Sequence, residues 1–441
     1  VLGQEQLAPE RVAMLDLDLL RKQPGEVAAA LERRGVHAEL EPILEADRRR
    51  RELVDRVQTL SGDRKRIGRE IGERKRAGED TAELEATATA AREELGSLTP
   101  ELEQVEARLR ELMLELPNIP DPRTPAGGKE NNQVVREWGE KPDFPEGIGD
   151  HVEIATRLGL IDFERGIKLA GRGFWLYRGA GALLEWALLD FFVREHLADG
   201  YEFMLPPHLL LEEVGYAAGQ FPKFYDDVFH LEVAEGERPR FLLPTAETAI
   251  LSVFATEVLN GDDLPKKVFA YTPCYRREAG GYRTEERGTV RGHQFNKVEL
   301  FQFVRPEQAE GALEELVGKA ERIVRELGLH YRTSLLAGED ASASMAITYD
   351  VEVWLPSMGA YKEVSSASHA GDYQARRANI KYRLPDSKRS EFVHTLNASA
   401  LATSRLVPAL LEQHVQPDGS VTVPEPLRDR LGTDRIEPPA G

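Results

Sequence analysis

The sequence predicts an α+β protein in which a long helical hairpin near the N-terminus precedes a larger domain built on an antiparallel sheet. The first observation is a heptad-spaced series of apolar residues early in the 441-residue chain. The second is a set of short β-like runs that alternate irregularly with helical stretches in the remainder. With a hydrophobic content of 41%, a chain of this length supports two or three domains.

The hairpin is predicted from two runs of apolar residues whose spacing alternates between four and three. Arg64 takes one seam position in the first run, and a polar turn at residues 78–80 separates the runs. A short connection forces adjacent helices to run antiparallel. Pro100 lacks a backbone donor, so a kink or short break is expected near Thr99. The apolar positions are Leu53, Val57, Leu60, Ile67 and Ile71, followed by Leu84, Ala88, Ala91, Leu95, Leu98, Leu102, Val105, Leu109, Leu112 and Leu116.

A domain boundary is predicted where the heptads end, because four prolines and two glycines occur within residues 117–128. We therefore expect an N-terminal domain over residues 14–117, a linker over 118–130 and a second domain over 131–441. In this second domain, β-like runs at 174–177, 267–271, 298–304 and 349–355 lie among helical stretches such as 182–197 and 307–327. This arrangement is typical of an antiparallel sheet with packed helices.

Composition restricts the compartment and the partners. Cys274 is the single cysteine, and no apolar run approaches the roughly 20 residues needed to span a bilayer. A reducing, cytoplasmic location without membrane contact is expected. Residues 1–13 precede Met14 and lack the features of a signal peptide, so they are interpreted as a non-native or upstream extension.

The net charge of -19 argues against a general nucleic-acid coat protein, so any nucleic acid must meet a local basic patch. One such patch lies near the tip of the predicted hairpin. Its alternative interpretation is a solvated face of a coiled coil. The patch consists of Arg64, Lys65, Arg66, Arg69, Arg74, Lys75 and Arg76.

Residues 271–299 concentrate arginines, a carboxylate and an aromatic ring in a strand, a loop and a returning strand. Arg276 and Arg291 could direct two guanidinium groups toward one triphosphate, and Phe295 could offer a ring face to a purine. A charged surface hairpin with a core phenylalanine is the alternative. Residues 395–405 form a second segment, in which a strand passes into a helix with Arg405 near its start.

Three shorter segments are further candidates for functional elements. Pro244-Thr245-Ala246-Glu247 is a possible ligand-binding element or an ordinary helix N-terminus. Glu363-Val-Ser-Ser366 ends a β-like run, with an exposed strand end as the alternative. The helical stretch 184–192, followed by Pro206-Pro207, could equally be an ordinary amphipathic helix before a turn.

Together these segments resemble motifs 2, 3 and 1 of class II aminoacyl-tRNA synthetases, in the form that bacterial-type seryl-tRNA synthetases carry. The resemblance implies a class II antiparallel-sheet core with an N-terminal coiled-coil arm, assembled as a homodimer with Pro207 at the interface. It implies a serine–tRNA ligase that activates L-serine with ATP to seryl-adenylate and transfers the seryl group to the 3′ end of tRNA(Ser).

The resemblance also implies the roles of individual residues. Arg276 and Arg405 would be catalytic, and Glu363 with Ser366 would coordinate Mg²⁺, with no zinc expected. Glu299 would accept the serine hydroxyl, although a salt bridge to Lys297 or Arg291 is the alternative. ATP would be bound by Arg276, Glu278, Arg291, Phe295, Glu363, Ser366 and Arg405. Serine would be bound by Thr245, Glu247, Arg276, Glu299 and Ser399.

The basic patch on the arm would hold the long variable arm of the tRNA. Departures from the family pattern are Arg277, Gly281 and Tyr282 in motif 2, and Ala398 and Ala400 in motif 3. Two rival functions are a relative that aminoacylates a carrier protein, which would lack the long arm, and a catalytically silent RNA-binding paralogue.

Overall fold

A computed structural model describes residues 15–278 and 287–438. The predicted extension at residues 1–13 lies outside these ranges, as do Gly281 and Tyr282. The described chain divides into two compact units, one formed by residues 15–32 and 37–117 and the other by residues 33–36 and 118–438. Within the described ranges, no helix combines the length and apolar character needed to cross a membrane.

The N-terminal unit is entirely helical, and its two long helices form the predicted hairpin. Helix α3 ends at Ala77 and is capped by Gly78, whose φ of 74° is the left-handed conformation that glycine adopts without strain. Leu53, Leu60 and Ile67 of α3 are buried, as are Ala91 and Leu95 of α4. The coiled-coil seam is therefore confirmed. The helices are α1 (Leu17–Lys22), α2 (Pro24–Glu32), α3 (Glu41–Ala77) and α4 (Ala82–Glu115).

The predicted break near Thr99 is wrong, because α4 runs continuously through Pro100. A proline inside a helix costs about 3 kcal/mol, and the seam along α3 offsets this locally by burying apolar side chains on both sides of the proline. The seam also shifts near the end of α4, where Met113 is buried and Leu112 is only half-buried.

The second unit contains nine α-helices among its described residues. They are α5 (His151–Arg157), α6 (Phe163–Ala170), α7 (Ala180–Ala198), α8 (Glu212–Ala217), α9 (Ala246–Val253), α10 (Ala309–Glu326), α11 (Tyr373–Ala378), α12 (Thr403–His414) and α13 (Glu425–Leu431).

The strands of this unit contribute to one large sheet and several small ones. They are β1 (Gln133–Trp138), β2 (Ile161–Asp162), β3 (Leu176–Tyr177), β4 (Glu202–Met204), β5 (Leu209–Leu211), β6 (His230–Leu231), β7 (Arg240–Leu242), β8 (Val258–Asn260), β9 (Lys266–Tyr275), β10 (Gln294–Val304), β11 (Tyr331–Leu335), β12 (Ile347–Leu355), β13 (Ala360–Gly371), β14 (Lys381–Arg383), β15 (Glu391–Phe392), β16 (His394–Ala402), β17 (Val421–Thr422) and β18 (Arg435–Ile436).

The large sheet has eight strands in the order β1-β11-β12-β13-β16-β10-β9-β4. Every neighbouring pair is antiparallel except β4 and β9, which are parallel. Helices α7, α10 and α12 pack on the sheet around a core that includes Phe192, Val298 and Leu316. The predicted α+β architecture is confirmed, including the strand that passes into a helix at residues 394–414.

The structure differs from expectation at Glu363 and Ser366. Both residues lie inside β13 and not at the end of a strand. Each faces an acidic residue of β12, since Glu352 pairs with Glu363 and Asp350 pairs with Ser366. An internal strand position holds these side chains more firmly than a frayed end would, because both residues are paired with β12 and the strand continues beyond them on either side.

Candidate active site

Two adjoining cavities of about 440 and 80 Å³ open on the large sheet beside the N-terminus of α9. Arg276, Glu278, Lys297 and Glu363 line both cavities. Every residue assigned above to ATP or serine lies on one cavity or both. These residues are Thr245, Glu247, Arg276, Glu278, Arg291, Phe295, Glu299, Glu363, Ser366, Ser399 and Arg405.

Thr245 is the N-cap of α9, and its hydroxyl accepts the backbone N–H of Glu247 at 3.4 Å. The helix-cap interpretation is therefore correct, and the same residue also faces the larger cavity. A cap in this position fixes the first turn of α9, so Thr245 and Glu247 are presented to the cavity from a rigid element. Both residues are buried, with exposed fractions of 5% and 9%.

Glu299 is completely buried on β10 and is surrounded by donors. Its Oε1 accepts the side-chain N–H of Asn397 at 2.9 Å, and its Oε2 accepts the Ser399 hydroxyl at 3.3 Å. Nζ of Lys297 lies 2.5 Å from the same Oε2. The predicted alternative of a salt bridge to Lys297 is thus present, while Arg291 pairs elsewhere. Because Glu299 also lines the larger cavity, the salt bridge does not exclude a role in binding.

Glu247 belongs to the same hydrogen-bond network. Gln374 donates to its Oε1 at 2.7 Å, Asn397 donates to its Oε2 at 3.3 Å, and Thr395 in turn donates to Gln374 at 2.7 Å. Burial, followed by the negative charge of Glu299, raises the pKa of Glu247 to about 7. A carboxylate with this pKa gains most from a bound cation, because the cation stabilises the ionised form.

Arg276 follows β9 and spans the two cavities. Its Nε donates to the carbonyl of Pro244 at 3.2 Å, and its guanidinium carbon lies 5.2 Å from the centre of the Phe295 ring. Its backbone N–H donates to the carbonyl of His293 at 2.9 Å. These contacts hold the guanidinium in place before any ligand binds, which is the arrangement expected for electrostatic stabilisation of an anion.

Arg405 is the third residue of α12 and contacts Glu363 of β13. Nη1 of Arg405 lies 3.2 Å from Oε2 of Glu363 and donates to the Glu363 carbonyl at 3.0 Å. Burial opposes the ionisation of Glu363, but the charges of Arg405 and Arg276 outweigh it and lower its pKa. The ionised carboxylate and the N-terminal end of α12 place opposite charges close together beside the smaller cavity.

Several residues of the site have no role in the sequence-based prediction, although two of them, Lys297 and Asn397, stand within its motifs. Lys297, Asn397 and Gln374 all hydrogen-bond to predicted serine-binding residues. Asp350 of β12 lies opposite Ser366 of β13 and accepts a hydrogen bond from it, while burial and the charge of Glu363 raise the pKa of Asp350 well above the usual range. Alternation along β10 puts Lys297 on the same face as Glu299, and this signal is readable from sequence.

The seven basic residues of the arm lie in the N-terminal unit on the last turns of α3. Residues 61–85 also contain seven acidic residues, so the region is locally balanced in charge. Three of the basic residues form ion pairs, Arg66 with Asp63, Arg74 with Glu70 and Lys75 with Glu85. Within the described ranges no carboxylate pairs with the others, which are Arg64, Lys65, Arg69 and Arg76.

Comparison with known proteins agrees with this geometry. Residues 229–414 match the model of the tRNA synthetase class II core domain (G, H, P, S and T), and residues 14–120 match that of the seryl-tRNA synthetase N-terminal domain. The antiparallel sheet, the site and the first of these matches define a class II aminoacyl-tRNA synthetase core.

The relatives narrow the class to one family. The chain is 51% identical to serine–tRNA ligase 2 of Clostridium acetobutylicum, over 96% of this chain and 100% of the relative. It is 43% identical to serine–tRNA ligase of Geobacter sulfurreducens, over 95% and 99% of the two chains. The seryl-tRNA synthetase of Pyrococcus horikoshii, solved in complex with ATP, superposes with a TM-score of 0.86 at 33% identity, over 97% of this chain and 100% of that one. The chain therefore belongs to the seryl-tRNA synthetase family.

Proposed function

We propose that this chain is a serine–tRNA ligase that activates L-serine with ATP to seryl-adenylate and then transfers the seryl group to the 3′ end of tRNA(Ser). The observation that carries the proposal is the convergence of two carboxylates, Glu247 and Glu299, and two guanidinium groups, Arg276 and Arg405, on the adjoining cavities. Carboxylates suit the ammonium and hydroxyl groups of serine, whereas guanidinium groups suit phosphates and a carboxylate.

In the first step, a serine carboxylate oxygen attacks the α-phosphorus of ATP, the bond to the bridging oxygen breaks and pyrophosphate leaves. In the second step, a ribose hydroxyl of the terminal nucleotide attacks the seryl carbonyl, AMP leaves and a proton is released. Negative charge grows around the α-phosphorus in the first step. Arg276, held by Pro244 and His293, is a donor that needs no reorganisation there.

The remaining ATP contacts are proposed from the same cavities. Phe295 would stack on adenine beside Glu278, while Arg291 and Arg405 would hold the bent triphosphate. Arg405 lies in the first turn of α12, so the positive end of the helix dipole adds to the charge of its guanidinium group. The similar Pyrococcus horikoshii structure was solved with ATP, which supports a nucleotide in this position.

Serine is proposed to bind in the larger cavity. Its ammonium group would face Thr245 and Glu247, its carboxylate would face Arg276, and its hydroxyl would donate to Glu299 beside Ser399. A site built to accept a hydroxyl proton loses that hydrogen bond when alanine binds, and such sites can discriminate by about 10⁴ to 10⁵. This loss of a partner would distinguish serine from alanine.

Mg²⁺ is proposed to accompany ATP, with Glu363 and Ser366 as its protein ligands. The residues fit this ion, since the carboxylate and the hydroxyl both line the larger cavity and oxygen donors suit a hard cation. When bound, Mg²⁺ would neutralise part of the charge on the phosphates. Asp350 accepts a hydrogen bond from Ser366 and would keep that hydroxyl oriented toward the cavity.

The helical hairpin is proposed to bind tRNA(Ser) through the seven basic residues near its tip. Phosphate contacts would supply affinity, while the shape of the hairpin would select the RNA. A relative that aminoacylates a carrier protein would lack this arm, so its presence favours tRNA. We further propose residues 14–117 as the tRNA-binding domain, 118–130 as a linker and 131–441 as the catalytic domain.

A homodimer is proposed because α7 leaves a large apolar surface uncovered. Leu183 and Trp186 are 53% and 60% exposed, and Leu205, just beyond edge strand β4, is 71% exposed. Apolar side chains beside a free sheet edge are the features expected of a self-complementary interface. A cytoplasmic location is part of the proposal, since the single cysteine, Cys274, is free and buried.

The test is the exchange of labelled pyrophosphate into ATP with each amino acid in turn. We expect exchange with serine in the presence of Mg²⁺, and a far smaller rate with alanine or threonine. A silent RNA-binding paralogue would bind tRNA(Ser) and give no exchange with any amino acid, which would refute the proposal.

A further inference from the structure

Lys297 is a buried cation that sits between the two halves of the site. Its residue is only 5% exposed, and its side chain lines both cavities. Nζ donates to the Thr245 hydroxyl at 2.7 Å and lies 2.5 Å from Oε2 of Glu299. One ammonium group therefore joins the cap of α9 to the fully buried carboxylate of β10.

The position of Lys297 follows from the strand that carries it. Lys297 and Glu299 are two residues apart on β10, so their side chains project from the same face of the sheet. The register between β10 and β16 shifts between these two residues, with Lys297 opposite Ala402 and Glu299 opposite Ser399. Burying an ammonium group costs several kcal/mol unless it is paired and hydrogen-bonded, so such a residue is rarely placed in a cavity wall without a role.

We propose that Lys297 is a positioning residue that sets the specificity of the serine site. It holds Thr245 and Glu299 in place, and its positive charge compensates one of the two carboxylates, so that the pocket accommodates a single further ammonium group. The inference rests on the proposed function and extends it to Lys297, a residue to which the family motifs assign no role. It assigns Lys297 no contact with the reacting atoms.

Charge in the pocket supports this role. Glu247 of α9 and Glu299 of β10 both accept hydrogen bonds from Asn397, so two carboxylates share one buried network. The ammonium group of serine can compensate one of these charges, and Lys297 compensates the other. Without Lys297, the two carboxylates would repel each other, and one of them would hold a proton up to higher pH.

The other charged or titratable groups that face the pair do not replace Lys297. Arg276, which directly follows β9, stabilises the ionised form of Glu247 less than burial and Glu299 oppose it, and it is the group proposed to meet the serine carboxylate. Cys274 of β9 stays neutral, because burial raises the pKa of its thiol. Glu363 of β13 adds a further negative charge, which Arg405 compensates.

Hydrogen bonding supports the same conclusion. The Thr245 oxygen accepts from Lys297 at 2.7 Å and from the backbone N–H of Glu247 at 3.4 Å, so Lys297 provides the shorter of the two bonds that position this hydroxyl. An ionised Glu299 accepts the hydroxyl proton of serine in a charge-assisted bond, which is roughly twice as strong as a neutral one. Lys297 thus holds in place the carboxylate that is proposed to accept the serine hydroxyl.

The test compares full-length Lys297→Met and Lys297→Gln with the parent in pyrophosphate exchange. Lys267→Met is the matched control, because Lys267 is an ion-paired lysine on neighbouring strand β9 whose Nζ lies 2.7 Å from Glu315, away from both cavities. We expect the serine KM to rise at least about tenfold in both Lys297 variants, the ATP KM to change by less than about threefold, and the control to behave as the parent.

A pH profile separates a role in charge balance from a merely structural one. In both variants the rise of serine kcat/KM with pH should shift to higher pH, the deficit should shrink as pH increases, and the preference for serine over alanine should fall. If the parent exchanges with serine and the variants keep its serine KM and its pH profile, the inference is wrong. Unfolding of both variants would also contradict it. A parent without exchange would instead refute the proposed function.

Discussion

Glu278 and Arg291 form an ion pair between the two ends of the β9–β10 connection, with Oε2 of Glu278 2.6 Å from Nη2 of Arg291 and 2.8 Å from its Nε. Glu278 adopts a left-handed conformation, with a φ of 52°. Both side chains line the two cavities, so a triphosphate that binds Arg291 would compete with Glu278 for the same guanidinium group.

Arg291→Ala should therefore raise the KM for ATP by about tenfold or more, the scale for losing a charge-assisted contact, with a smaller change in the serine KM. Glu278→Ala with Arg291→Ala should cost less than the sum of the single changes, because the two residues are partners. Steady-state exchange kinetics of the three variants measure this coupling. Additive effects would show that the pair does not act as a unit.

Arg276→Ala should reduce adenylate formation by at least about 10², the scale for removing one preorganised donor beside a developing charge. Arg276→Lys should recover only part of the loss, because an ammonium group cannot reproduce the planar fork. Single-turnover measurement of adenylate formation tests both variants. A loss below about threefold in Arg276→Ala would mean that this residue is not at the reacting phosphorus.

Glu299→Ala should sharply lower serine activation while ATP still binds, because the hydroxyl acceptor is removed. It would also leave Lys297 as an uncompensated buried charge, which destabilises a protein by about 3–5 kcal/mol. Glu299→Gln keeps the volume of the side chain and is the better probe of recognition. Equilibrium binding of ATP to each variant is the control, and an unaltered serine kcat/KM would refute the pocket assignment.

Glu247→Gln should lose serine activation, since the counter-charge for the ammonium group is gone. In the parent, serine kcat/KM should rise with pH through about 7, because Glu247 must be ionised and its pKa is raised to about 7. The pKa of Glu247 is higher in the folded protein than in the unfolded chain, where it is about 4.3. Ionisation of Glu247 therefore lowers the free energy of unfolding once the pH exceeds about 4.3.

The same variant should therefore be more stable than the parent at pH 8, by about 1–3 kcal/mol, with little difference near pH 4. Denaturant unfolding at the two pH values measures this. A variant that is less stable than the parent at pH 8 would show that ionised Glu247 stabilises the fold, contrary to its burial beside Glu299.

On the arm, the basic residues without carboxylate partners should bind RNA more strongly than the paired ones. Lys65, Arg69 and Arg76 are exposed and lie four and seven residues apart on α3, which places them on one face. Replacing these three by Gln should raise the KM for tRNA and make affinity less dependent on salt, by about 0.7–0.9 in logarithmic slope per lost phosphate contact.

The matched control is the triple replacement of Arg66, Arg74 and Lys75 by Gln, which removes basic residues already paired with carboxylates. Serine-dependent exchange should stay near the parent level in both triple variants. It should also persist when residues 49–99 are replaced by a short turn that rejoins the helices in phase. If the KM for tRNA and the salt dependence of tRNA affinity are unchanged in all these variants, the arm is a solvated coiled coil that does not bind the tRNA.

Much of the fold could be predicted from local pattern. The hairpin followed from heptad spacing, and the turn at Gly78 from a polar, glycine-containing break between the runs. Continuity through Pro100 could not be predicted, because it depends on the balance between a local proline cost and packing along α3. Likewise, the sequence predicted a strand end at Glu363 and Ser366. The full length of β13 could not be predicted locally, because it is set by pairing with β12 and β16.

The site residues were predictable as types and motifs, while their partners were not. That Gln374 and Thr395 support Glu247 depends on α11 and β16 meeting α9, which are far apart in sequence. The pairing of Arg291 with Glu278 required knowing how the connection between β9 and β10 folds, because both residues lie outside the two strands. Spacing alone allowed either arginine or lysine as the partner of Glu299.

The measurement that tests the central claim most directly is the ratio of kcat/KM for serine to that for alanine in pyrophosphate exchange, determined for the parent and for Glu299→Gln. The parent should favour serine by a factor approaching about 10⁴, and the variant should lose most of that preference while it still binds ATP. Exchange that is independent of serine in the parent, or a preference that survives in Glu299→Gln, would contradict the account.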